Sequence, residues 1–139
     1  MHPAEHKEAT AHRPIERMPF VDRYTLPISQ NAGTPSLPVV GVGDDVRRGQ
    51  VIAEPDGFVS ATLHSPVTGR VVARGPHYHP NGQFVDCIEI EADAYATQRL
   101  ARAEPIDWRS LTVDSFIEHV QRAGIVGMGG AAFPSHVKY

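Results

Sequence analysis

Between Tyr24 and Ala92 the chain is cut at short intervals by proline and glycine, and this punctuation limits the fold more than any other feature. Six apolar runs lie between most of the breaks: TLPI, PVVGVG, QVIAEP, FVSATLHS, GRVVARG and FVDCIEIE. Helix periodicity is absent from them and turn residues bound them, so they predict short strands. Ile88 and Ile90 alternate with Glu89 and Glu91, which predicts a strand with one dry and one wet face. Six such runs at close spacing predict a compact β barrel or sandwich.

Length and composition bound the rest. A chain of 139 residues suffices for one domain and part of another, and 41% hydrophobic with 21% charged residues is an ordinary globular balance. The net charge of -3 comes without a basic run, which argues against nucleic acid as a partner. No apolar stretch approaches the roughly twenty residues of a membrane span, and the polar start lacks a signal-peptide core. A soluble, cytoplasmic chain is expected. Cys87 is the single cysteine, so neither an internal disulfide nor an iron–sulfur ligand set can form within these residues. Its apolar neighbours make it a small buried hydrophobe.

Two phrases narrow the fold. Val42 to Gln50 (VGDDVRRGQ) is a polar turn with glycines near both ends feeding a strand, and Ser65 to Val71 (SPVTGRV) is a tight turn with Pro near its start and Gly at its exit. Together, G-D-x-V-x-x-G-Q and S-P-x-x-G-x-V resemble the hammerhead and hairpin of biotinyl and lipoyl domains, the barrel-sandwich hybrid. Those domains carry their cofactor on a lysine in the turn before S-P-x-x-G, which here falls near Asp56-Gly57-Phe58. The only lysines are Lys7 and Lys138, so covalent lipoate or biotin is not expected and the barrel is left as a binding or docking scaffold.

Around the barrel the texture differs. Residues 1–20 read as an extended arm interrupted by Pro3, Pro14 and Pro19; His2, His6 and His12 there have no fixed ligand geometry. His77-Tyr78-His79 invites a metal reading, but Pro76, Pro80, Asn81 and Gly82 make a loop of it and no third ligand is at hand; no metal site is expected. His64 reads as a satisfied structural histidine. The barrel is bounded at 21–93, a linker or short helix at 94–111 follows, and 112–139 begins a second unit. Within that unit Thr112 or Asp114 can cap a helix over about Val113 to Ala123, with Phe116, Ile117 and Val120 on one face and Gly124 ending it. This face is expected to pack against the second unit rather than the barrel.

The helix delivers the stretch GIVGMGGAAFPSHVKY, Gly124 to Tyr139. Gly127, Gly129 and Gly130 let successive N–H groups close on an anion through positive φ, and Lys138 adds one ammonium charge. A further helix near Pro134 is expected to point its N–H groups at the same anion. Gly127, Gly129 and Ala132 formally match the dinucleotide fingerprint, yet no strand precedes them and the acidic partner about twenty positions on is missing. A plain glycine-rich turn is the alternative.

The whole string decides between them. G-M-G-G-A-A-F-P-S-H-V-K resembles the G-x-G-G-A-x-F-P-x-x-x-K signature of the flavin-binding subunit of respiratory complex I and of the RnfC subunit of the Rnf electron-transport complex. Met128 and Ala132 stand where the complex I subunit usually has arginine and glycine, and both look like RnfC. His2 to Ile15 (H-P-x-x-x-K-x-x-T-x-x-x-P-I) and the lysine-less FVSATLHSPVTGRV are similar to that family too. The resemblance implies a barrel-sandwich hybrid followed by the first helix and glycine loop of an incomplete α/β domain for FMN and NADH, with Gly127, Gly129, Gly130 and Lys138 as the contacts. It further implies a peripheral subunit on the cytoplasmic side of the membrane, working with other subunits of a Rnf-type complex. The rest of the flavin domain and the 4Fe-4S cluster segment are expected beyond Tyr139, so this chain alone is expected to be inactive as an oxidoreductase. A non-catalytic docking barrel with a structural glycine turn is the other reading.

The missing lysine is testable at once. Coexpression with biotin and lipoate ligases should add no mass to the intact chain, and a modified barrel would overturn the scaffold reading.

Overall fold

Seven strands form two antiparallel sheets in the computed structural model, which describes residues 7–100 and 105–139. The strands are β1 (Arg23–Pro27), β2 (Leu37–Pro38), β3 (Asp45–Val46), β4 (Val51–Glu54), β5 (Leu63–His64), β6 (Gly69–Tyr78) and β7 (Phe84–Ala92). One sheet has the order β1-β7-β6-β3 and the other β2-β4-β5. The expected all-β barrel-sandwich is therefore present. The runs PVVGVG and FVSATLHS are shorter in ladder than their composition suggests, with only Leu37–Pro38 and Leu63–His64 paired.

The space between the sheets is filled by Val40, Val46, Ile52, Ala53, Leu63, Val67, Val71, Ile88 and Ile90, with Tyr24, Leu26 and Ile28 packed at its margin. Each fully buried aliphatic side chain contributes about 1.5–3 kcal/mol. An exposed pair such as Arg70 with Asp45, at 2.8 Å, is screened by solvent and adds little, so burial and not surface charge holds the barrel.

Two expectations fail here for identifiable reasons. His77 and Tyr78 lie in β6 rather than in a loop, and only the turn after them, closed by His79 N–H to the Gln83 carbonyl at 2.8 Å, is irregular. Strand β6 pairs with β3 only at Gly69 and Arg70, so by Pro76 it is an edge strand, where a residue without N–H is tolerated. Glu89 is not on a wet face. It is buried, with one carboxylate oxygen 2.5 Å from His77 Nε2 and the other 3.6 Å from an Arg23 nitrogen. Its strand is flanked by β1 and β6, so both neighbours close over it.

Outside the barrel, residues 7–20 are exposed and make one turn near Lys7 to Arg13. His2 and His6, and positions 101–104 of the expected linker, lie outside the described residues. Residues 94–100 form no helix; Gln98 ties them to the barrel by accepting from Thr68 N–H at 2.7 Å and donating to the Thr68 carbonyl at 3.0 Å. Helix α1 (Val113–Arg122) begins at Thr112, whose hydroxyl accepts from Ser115 N–H at 3.2 Å. Of the two candidate caps, Thr112 is the one used.

Gly69 marks the tightest approach in the barrel: a Cβ there would lie 2.0 Å from the Glu91 carbonyl oxygen. Backbone cannot yield as a side chain can. Gly69→Ala should therefore cost about 3 kcal/mol, the upper part of the overpacking range. Gly75→Ala, in the same strand with open space around its position, should be within about 0.5 kcal/mol of neutral. Urea unfolding of both variants checks the contrast.

Candidate functional site

The glycine loop is built on a neck. Gly127 N–H donates to the Phe133 carbonyl at 2.9 Å and Ser135 N–H to the Ile125 carbonyl at 2.9 Å, closing residues 127–133 into a loop whose tip is Met128 to Ala131. Met128 at 97% exposure and the exposed Gly129 and Gly130 stand in the open, and a Cβ on either glycine would meet nothing within 4 Å. Lys138 folds back over the neck, with Nζ 3.4 Å from where a Gly127 Cβ would lie and 6.0 Å from the Phe133 ring centre. Gly127 and Lys138 are thus brought together, while Gly129 and Gly130 sit at the tip.

The backbone differs from expectation. None of Gly127, Gly129 and Gly130 takes positive φ; the left-handed residue is Ala132, at 51°. The loop turns at its exit instead of along its glycines. Gly127 N–H is also engaged by Phe133, which removes it from any row of anion-binding amides. After Pro134 only a short 3-10 turn, Ser135–Lys138, follows in place of the expected helix.

What holds the loop is the barrel. Residues 58–61 lie between β4 and β5 without joining either strand, and their carbonyls are engaged alternately on two sides. On one side Thr34 N–H donates to Val59 at 2.9 Å and the Ser36 hydroxyl to Ala61 at 2.6 Å. On the other, His136 Nε2 donates to Phe58 at 2.6 Å and Gln121 Nε2 to Ser60 at 3.3 Å and Gly57 at 3.1 Å. The Thr62 hydroxyl completes the seam by donating to the Gln121 carbonyl at 3.0 Å. Gly124, at φ 67°, passes so close that a Cβ would lie 2.3 Å from the Thr62 carbonyl oxygen. A second tether crosses the loop exit, where Ala32 N–H is shared by the Ala131 and Ala132 carbonyls at 3.2 and 3.3 Å.

Helix α1 packs mainly on the Ser135–Lys138 turn that follows it, the side expected for its apolar face, and only its end also reaches the barrel. Gln121 and Gly124, at the end of the helix, sit on the barrel seam, and the neighbouring Val120 is the helix's buried residue. Phe116 stays 40% exposed and meets the Tyr139 ring edge-on, with centres 5.5 Å apart. Sequence reasoning missed Gln121, His136 and Ala32, whose partners lie far along the chain. Only Ala132 had a signal, since it occupies a position where the complex I signature carries glycine.

Two other places offer less. A concavity of about 870 Å³ lies among Asp45, Arg47, Arg70, Glu91, Asp93 and Tyr95, where Arg70 holds the Asp45 carboxyl below its usual range through a hydrogen bond and its charge. It brings together no nucleophile and base. Among the described residues no group of three His, Cys, Asp or Glu side chains is arranged to hold a metal, and His79 Nδ1 accepts from Asn81 N–H at 3.2 Å. Burial raises the Cys87 thiol above its ordinary value, which leaves it unreactive.

A family model described as the RnfC barrel sandwich hybrid domain matches residues 1–95. The chain belongs to the RnfC family. The C subunit of the proton-translocating ferredoxin:NAD(+) oxidoreductase complex of Clostridium ljungdahlii is 41% identical over 138 residues, covering 99% of this chain and 30% of that protein. The C subunit of the ion-translocating oxidoreductase complex of Pseudomonas aeruginosa is 39% identical, covering 98% and 18%. Its counterpart in the Na(+)-translocating ferredoxin:NAD(+) oxidoreductase complex of Acetobacterium woodii is 37% identical, covering 99% and 31%. This RnfC-family chain spans less than a third of each of these relatives. No helix among the described residues is long and apolar enough to cross a membrane.

The seam carries a pH signature through His64, which is half-buried on β5 with Nδ1 3.5 Å from where a Gly124 Cβ would lie. Neither of its ring nitrogens is among the buried atoms left without a partner. Burial lowers its pKa from the ordinary 6.5. The unfolded chain then binds a proton that the folded one refuses, so stability is intact above 6.5 and falls as pH drops below it. The urea midpoint should decline from pH 7 towards pH 5, and His64→Gln should flatten that decline.

Proposed function

We propose that this chain is the N-terminal part of a peripheral electron-transfer subunit of a membrane ion-translocating NADH:ferredoxin oxidoreductase complex, whose glycine loop contributes to an FMN and NADH site. The observation that carries the reading is the open tip at Gly129 and Gly130, where a flat ligand can approach backbone without meeting a β-carbon. Lys138, folded over the neck, supplies the one ammonium charge within reach of a phosphate held there. The residues present fit the group. FMN, when bound, exchanges the two-electron chemistry of a nicotinamide with the one-electron chemistry of iron–sulfur clusters.

The chain's own part is to bind and orient. Gly129 and Gly130 admit the ligand, Lys138 offsets its negative charge, and the barrel supports the loop from behind the seam. Cluster ligands belong elsewhere in the full-length protein or complex, since Cys87 is buried and single. Partners are the other subunits of a Rnf-type complex, met on the cytoplasmic face of the membrane. A second reading, a docking barrel with a structural turn, is favoured by the engaged Gly127 N–H, which shows that part of the loop's bonding serves itself.

Titration with FMN, followed by quenching of its fluorescence, separates the two. Gly130→Val should abolish flavin retention, and Lys138→Ala should weaken it by about 1.5–3 kcal/mol, the value of a charge-assisted hydrogen bond. Met128→Ala should leave it unchanged. If Gly130→Val keeps its flavin and, in the full-length protein, its rate of reduction by NADH, the loop is only a turn.

A further inference from the structure

The seam between barrel and loop is made by side chains reaching backbone carbonyls, and His136 is its most enclosed member at 1% exposure. The Phe58 carbonyl can only accept, so the 2.6 Å contact assigns the proton to His136 Nε2. Nδ1 is buried without a partner, as suits a bare lone pair and not a second N–H. The Phe58 ring meets the imidazole edge-on at 5.3 Å, so the same residue fixes the ring by its carbonyl and by its side chain. Gln121 holds Gly57 and Ser60 on either side of this contact.

Gly57, Phe58 and Ser60 lie in the connection between β4 and β5. Here its carbonyls are tied down by the segment that carries the glycine loop.

We propose that His136, assisted by Gln121, is a positioning residue that clamps the glycine loop to the β4–β5 connection of the barrel before any ligand arrives. The barrel then acts as the fixed support of the loop and not as a separate docking module. A loop already held loses less freedom when a ligand binds, so the clamp raises affinity without touching the ligand. Ala32, bonded to the Ala131 and Ala132 carbonyls, holds the exit of the same loop. The effect on affinity rests on the FMN and NADH reading; the clamp itself does not.

Hydrogen exchange of the whole chain, read residue by residue, tests the clamp without any ligand. His136→Leu should speed exchange across Gly124 to Tyr139 by about tenfold, the loss of one buried hydrogen bond. Exchange in β6 and β7 should not change, which shows that the barrel remains folded. His136→Gln, whose side-chain amide can reach the same carbonyl, should restore most of the protection. Nitrogen chemical shifts of His136 should show a protonated Nε2 and a bare Nδ1. FMN affinity should fall about tenfold in His136→Leu and recover in His136→Gln, in step with the exchange. Unchanged exchange in His136→Leu overturns the clamp, as does equal loosening in both variants, and a loosened loop with undiminished FMN affinity overturns its effect on binding. If the wild-type chain binds no FMN, the functional reading falls alone, and the exchange data still decide the clamp.

Discussion

Backbone carbonyls that leave a sheet without a strand partner must find donors elsewhere, and residues 57–61 are the place where this chain faces that demand. The ladder ends at Glu54, and the bent connection that follows runs against the C-terminal segment. Thr34 and Ser36 answer the demand on one side, and Gln121 and His136 on the other. A second backbone strand would have met it with a continuous ladder. Side chains meet it at discrete points, which allows a non-repetitive segment bearing the glycine loop to sit where a strand would otherwise lie.

This arrangement ties the flavin-loop reading to the barrel reading. The resemblance to biotinyl and lipoyl domains rests on VGDDVRRGQ and SPVTGRV, and the region without a lysine is engaged through its backbone by the chain that follows. Here the barrel supports the segment that bears the glycine loop. Function follows the site and not the fold.

How much of this was legible before the structure depended on the range of the interactions. Strands bounded by Pro and Gly, the Thr112 cap and the end of α1 at Gly124 are local, and the residues signal them directly. Strand β6 running on through Pro76 was hidden because proline's exclusion depends on whether a neighbour lies alongside, which the local sequence does not record. Burial of Glu89 was hidden likewise, since alternation along β7 shows which way the side chain points and not what covers it. The loop glycines were readable as a loop, but their φ values were not: the neck bonds at Gly127 and Ser135 place the turn at Ala132. His136 stood within the recognised string as an unassigned position, because its partner Phe58 is set by tertiary packing alone.

Positive charge in this chain is almost entirely arginine. Lys138 is one of only two lysines, and the other, Lys7, belongs to the N-terminal arm at the opposite end of the chain. Since Lys138 is exposed while it bends over the loop's neck, amine-selective chemistry has a single target beside the glycines and none in the barrel. Acylation with a small reagent would erase the loop's charge while leaving every barrel arginine intact, and competition between that reagent and an anion would report occupancy of the loop once the added mass is mapped to the Lys138 peptide and not to Lys7 or the terminal amine.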